Sequence, residues 1–182
     1  MKKNIFLLIS LLLSSFMVTL SGQNSVTNSE KLQQYSYDSY KVELGFSSIE
    51  KHEDYYIFSV YAINPYDDIA GFQFNIAPIG LFIIDSVYGG KAEENNFLFH
   101  FNKNNKSTKS TILGFSMQGN TIKKTTIVSH TNKKKDNVLF YIKTKLNMPI
   151  ESIDIILDNI VIASKEGQTL SNKFIPYSFS FK

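Results

Sequence analysis

The sequence predicts an all-β chain, a two-sheet antiparallel β-sandwich of jelly-roll type with about nine strands. Three observations carry that expectation. Short runs that alternate apolar and polar residues recur at turn spacings of roughly 8 to 15 residues, and no segment beyond the N-terminal run shows a clean helical period. Fifteen phenylalanines and ten tyrosines, with no tryptophan, suit pleated, half-buried surfaces. Finally, the separators are turn chemistry, such as "NPYDD", "NKNNKSTKS", "HTNKKKD" and "KEGQ".

Taken in order, "YKVELGF" (40–46) alternates with Tyr40, Val42, Leu44 and Phe46 on one side, which argues a half-buried strand. "YYIFSVYAI" (55–63) is too short and too rich in aromatic and β-branched residues for a helix, and reads as the second strand. In "NPYDD", Pro65 fixes its own φ and biases Asn64 toward extended backbone, so this is a corner. "IAGFQFNI" then alternates, with Ala70, Phe72, Phe74 and Ile76 on one side and Gly71, Gln73 and Asn75 on the other. "LFIIDSV" follows, and "GGKAEENN" has room for one helical turn. "FLFHFN", "TILGFSM", "NVLFYIKTKL", "SIDIILDNIVIAS" and "FIPYSFSF" complete the strands, the longest allowing a bend.

The first 22 residues hold two lysines, an uncharged run rich in leucine and phenylalanine, and Ser21 and Gly22 at its end. They read as a secretory signal peptide, since a spanning helix needs about 20 apolar residues and a charged flank; an uncleaved membrane anchor is the other reading. No cysteine follows to carry a lipid. Residues 23–36 are polar and aperiodic, a flexible N-terminal segment, and 37–182 form the domain. Removal of 22 residues from 182 leaves 160, which fits one domain. The expected location is secreted or extracellular, with periplasm or cell surface as variants.

Composition narrows the function. Without cysteine there is no disulfide and no thiol catalyst. The formal charge of +3 falls to +1 once Lys2 and Lys3 are removed, and every basic residue is lysine, so neither a global field nor an arginine fork favours nucleic acid. The lysine runs near Lys123 and Lys133 lack interleaved aromatics and read as solvated loop tips. Asn105 begins an N-K-S sequon on an expected loop.

No catalytic residue is assigned. His52, His100 and His130 are isolated from any metal-ligand spacing, and Ser116 in "GFSMQG" reads as an ordinary sheet residue. A small hydrolase would need carboxylates that converge in three dimensions. No cofactor and no metal site are expected. Asp67 and Asp68 are calcium candidates if distant loops, such as those with Asp85 or Asp158, supply further oxygens; otherwise they are the corner that feeds a strand.

Four stretches in order resemble the cohesin domain: "IAGFQFNI" after the "NP" turn, "SVYGGKAEENNFLFHF", "TILGFSMQGNTIK", and "VLFYIKTKL" through "IDIILDNIVIASKEG". Where that family has a glycine-rich approach to its "V-L" strand, this chain has "NKKKDN". The resemblance implies a non-catalytic, secreted module that engages a dockerin-like or other extracellular protein through a flat sheet face. By strand matching it implies that Gly71, Gln73, Asn75, Ile112, Gly114 and Ser116 lie on that face. The alternative is a carbohydrate-binding module for an extracellular polysaccharide. Such modules stack aromatic rings on sugars, and Tyr35, Tyr37, Tyr40, Tyr55 and Tyr61 are the candidates. A membrane is a partner if the signal stays uncleaved.

Overall fold

A computed structural model describes residues 41–102, 110–125 and 134–180. The strands are β1 (Val42–Lys51), β2 (Tyr56–Ile63), β3 (Ile69–Ala77), β4 (Phe82–Tyr88), β5 (Leu98–Phe101), β6 (Thr111–Phe115), β7 (Val138–Leu146), β8 (Ser152–Ser164), β9 (Asn172–Ile175) and β10 (Tyr177–Ser180). A short helix, α1 (Gly90–Glu94), follows β4. The first sheet runs β4-β7-β2-β1-β9 and the second β10-β8-β3-β6-β5. All pairs are antiparallel except β1 with β9, which is parallel. The expected sandwich is therefore present, with ten strands among the described residues. The extra one arises because "FIPYSFSF" is cut at Pro176, which cannot donate to a ladder: β9 joins the first sheet and β10 the second.

The inward positions of both sheets make one core. Val42, Leu44 and Phe46 of β1, Phe58 and Val60 of β2, and Phe140 and Ile142 of β7 face Phe72, Phe74 and Ile76 of β3, Ile112 of β6 and Ile155, Leu157 and Ile162 of β8. Phe140 bridges the sheets, its ring centroid 5.2 Å from that of Phe72, 5.6 Å from Phe74 and 5.6 Å from Phe99. Each such ring contributes about 1.5–3 kcal/mol by leaving water. With no disulfide, this burial holds the two layers together.

One irregularity shapes the second sheet. Between Gln73 and Asn75 the pairing of β3 shifts from Val161 to Asp158, so β8 carries one residue more than β3 over this interval. Asn159 takes φ 51° there, a left-handed conformation that asparagine tolerates better than most residues. Asp158 pins it: its Oδ1 accepts from the Asn159 backbone N–H at 2.7 Å and its Oδ2 from Asn159 Nδ2 at 3.1 Å. The bulge resets the alternation of β8, so Ile155 and Leu157 point inward before it and Ile162 and Ser164 after it.

Candidate functional site, the outer face of the second sheet

The corner "NPYDD" is built from polar contacts. Asn64 Nδ2 donates to the carbonyl of Asp67 at 2.9 Å, and Thr125 Oγ1 donates to Asn64 Oδ1 at 2.8 Å. Asp68 Oδ2 accepts from Thr121 Oγ1 at 3.0 Å and Lys123 Nζ at 2.9 Å, and Oδ1 from the Lys124 backbone N–H at 3.2 Å. Burial pushes the Asp68 carboxyl up, but the hydrogen bonds from Lys123, Thr121 and Lys124 outweigh it and hold the group below its ordinary value of 3.8. Asp67 Oδ2 is enclosed, makes no well-aligned hydrogen bond, and meets the Lys41 ammonium at 2.9 Å. These carboxylates are committed to protein cations and amides that close the corner. Asp85 instead pairs with Lys143 at 3.4 Å, and Asp158 pins the bulge. Among the described residues no group of three or more histidines or carboxylates is placed to share a metal ion.

The six residues expected on one face divide. Gln73 is exposed and Gly71 half-buried, both outward on β3. Asn75 is 5% exposed, and its Oδ1 accepts from Thr111 Oγ1 at 2.7 Å, so it is bonded within the sheet and little of it is open to a partner. Ile112 and Gly114 are corrected: Ile112 is fully buried, and a Cβ at Gly114 would lie 2.1 Å from Phe72 Cζ, so both point into the core. The cross-strand register sets this, pairing Gly114 with Phe72 and Ile112 with Phe74, whose rings are inside. Ser116 lies just past β6, where its carbonyl accepts from the Gly119 N–H at 3.2 Å and its hydroxyl from the Gln118 N–H at 3.3 Å; it opens a turn and is not a strand residue.

The outward residues of β6 are Thr111, Leu113 and Phe115. Two rows cross the sheet: Leu98, Phe115, Gly71 and Ala163 in one, His100, Leu113, Gln73 and Val161 in the next. Four strands at a spacing of about 4.8 Å make each row about 14 Å long. Leu98 is 55% exposed and Val161 44%, and Met117, 74% exposed, stands beyond Phe115. Leu98 and Met117 also line a shallow groove with Glu93, Asn96, Phe97 and Gln118. Although the chain has 19 lysines, no strand of the second sheet contains a lysine or a glutamate; its acidic residues are Asp154 and Asp158 of β8. A strip of Leu98, Phe115, Leu113 and Val161, with Gln73 and His100 as its polar members and no lysine or glutamate, has the charge-depleted composition found at the centre of protein interfaces. The signal available in the sequence was the absence of lysine from these strands. Which side of β6 faced out was not readable from "TILGF", apolar on both sides.

Of the five tyrosines expected for a sugar-stacking face, Tyr55 and Tyr61 are among the described residues, and Tyr55 is half-buried and stacked on His52. Tyr61 is fully buried, lying against Gly45 and donating to Glu43 Oε1 at 2.9 Å, and Tyr35, Tyr37 and Tyr40 lie outside the described residues, as do Asn105 and His130.

No family model matches the sequence, and no curated protein does. Solved structures do match. A chain of a type I cohesin–dockerin complex from Clostridium thermocellum aligns at a TM-score of 0.56 and 17% identity, covering 77% of this chain and 98% of that one. A cohesin module of a Clostridium perfringens family 33 glycoside hydrolase gives 0.54 at 12%, covering 78% and 96%. A non-cellulosomal cohesin from the archaeon Archaeoglobus fulgidus gives 0.51 at 16%, covering 77% and 90%. The chain thus has the cohesin-type β-sandwich fold.

Proposed function

We propose that the domain is a non-catalytic interaction module that docks a dockerin-like protein on the outer face of its second sheet. The observation that carries this is the strip formed by Leu98, Phe115, Leu113 and Val161, partly exposed and on strands free of lysine and glutamate. Gly71 and Ala163 leave the backbone close to the surface between the larger side chains, so a partner helix can approach. Cohesin-type folds among the solved structures include complexes with dockerins, which supports a partner of that class.

The reading includes export, with residues 1–22 removed, 23–36 as a tether and 37–182 as the working domain outside the cell. Intact mass of the secreted protein tests the cleavage. The docking test is capture from the culture medium of the source cells, with the mature chain as bait and Val161→Lys as control. The expected result is one dockerin-like partner held by the wild type and lost from the variant. Capture that ignores Val161→Lys sinks the assignment of the face, and no protein captured sinks the function.

A further inference from the structure

Where α1 meets the start of β7, an amine and a carboxamide are brought together. Lys91 of α1 is half-buried, and its Nζ donates to Oδ1 of Asn137, a residue 46 positions away in the chain. Asn137 is 7% exposed and ends a 3-10 turn (Lys135–Asn137) that leads directly into β7. Because Oδ1 is bonded to Cγ, the contact sets the amine nitrogen beside the carboxamide carbon.

Both sides of the contact are held by the fold. Gly90 lies against the β7 backbone, since a Cβ there would come 2.6 Å from the carbonyl oxygen of Leu139, and Ala92 is fully buried. The Lys91 carbonyl accepts from the Asn95 backbone N–H at 3.2 Å and from Asn95 Nδ2 at 2.7 Å. The Asn137 N–H donates to the Lys134 carbonyl at 3.3 Å. Two reactive groups fixed in this way react as one molecule and not as two.

Burial holds the Lys91 ammonium below its ordinary value of 10.5, although the nearby Glu94 and Asp136 carboxylates pull the other way. A lysine so placed reaches its neutral, nucleophilic form more readily than one in water. The same two carboxylates are within electrostatic reach of the amine and can accept its proton.

We propose that Lys91 and Asn137 form an intramolecular isopeptide bond, an amide between Nζ and Cγ. Glu94 or Asp136 takes one proton from the Lys91 ammonium, and the freed lone pair attacks Cγ of Asn137. The carbonyl reforms as the Cγ–Nδ2 bond breaks, and Nδ2 departs as ammonia, carrying its own two hydrogens and one passed from Nζ. The ammonia then takes the proton held on the carboxyl, so an ammonium and a carboxamide become a secondary amide and an ammonium ion. Nothing is oxidised or reduced. The bond ties the crossover from β4 in the first sheet to β5 in the second onto β7, a covalent link in a chain that has no cysteine to make a disulfide. It does not depend on the docking reading.

The test is a tryptic digest of the folded, purified chain after prolonged incubation at neutral pH, read by mass spectrometry. The expected result is a linked species that joins the peptide containing Lys91, uncut at that lysine, to the peptide 136–143. Its mass is expected to be about 17 Da, one ammonia, below the sum of the two peptides. Lys91→Arg keeps the charge, but its guanidinium stays protonated and is no nucleophile, so the linked species is expected to disappear. A wild-type digest in which Lys91 and Asn137 fall in separate peptides overturns the proposal whether or not the variant folds. A linked 136–143 peptide that persists in Lys91→Arg overturns it as well.

Discussion

The ring of Phe72 covers the backbone of Gly114: the two residues are cross-strand partners, and a methyl group on Gly114 would sit 2.1 Å from Cζ of the ring. Phe72 is also stacked with Phe140 of the facing sheet at 5.2 Å, so it has no room to retreat. Gly114→Ala is expected to destabilise the domain by about 3 kcal/mol, the upper end of overpacking costs. Urea unfolding at constant m-value measures it. A variant as stable as the wild type would show that the ring is free to swing aside.

Asp68 makes the corner acid-sensitive. Its carboxyl is held below 3.8 in the folded chain, so its stabilisation is fully present above that pH and is lost as the pH falls through the lower folded value. Asp68→Asn should cost about 1–2 kcal/mol at neutral pH. The exposed Lys123 is screened by solvent, leaving Thr121 and the Lys124 amide as the main partners. The gap between variant and wild type should close on acidification, which denaturation curves at several pH values will read. Calcium or a chelator should leave the melting temperature of both unchanged, because the carboxylates already have partners.

At the bulge, Asn159→Gly should be nearly neutral and Asn159→Val should cost about 1–2 kcal/mol, since the left-handed backbone penalises a branched side chain. Asp158→Ala removes both bonds that pin the turn. Thermal melts of the three variants should rank them accordingly, with Asn159→Gly the most stable. Equal melting temperatures for glycine and valine would contradict the role given to this residue.

Val161→Lys and Leu98→Asp lie on exposed positions, so each should change stability by no more than about 0.5 kcal/mol. Both should weaken partner docking at least about tenfold, because a charge must be desolvated within the contact. Titration calorimetry against the captured partner separates the two effects. Unchanged affinity would move docking to another surface.

Much of this architecture was legible in the sequence. Alternation identified eight of the nine expected strands as single elements, and turn chemistry located the corner at Pro65. In "FIPYSFSF", Pro176 carried the signal for a break, but that the two halves pair in different sheets depends on neighbours far away in the chain. Which residues form the outer surface of the second sheet was half legible. Gly71 and Gln73 followed from a run whose phenylalanines define the inner side. "TILGF" has no such contrast, and glycine shows no preference for either side, so Ile112 and Gly114 were assigned outward when they face the core.

By itself, the sequence determined the fold class, the inward residues of strongly alternating strands and the absence of thiol chemistry, because these depend on local period and composition. The tertiary structure decided the register. It set Gly114 under Phe72, turned Leu113 and Phe115 outward, and brought Tyr88 beside Tyr141 across strands 53 positions apart (141 − 88). Pairing between distant strands is chosen by packing of the whole core, which no local pattern encodes.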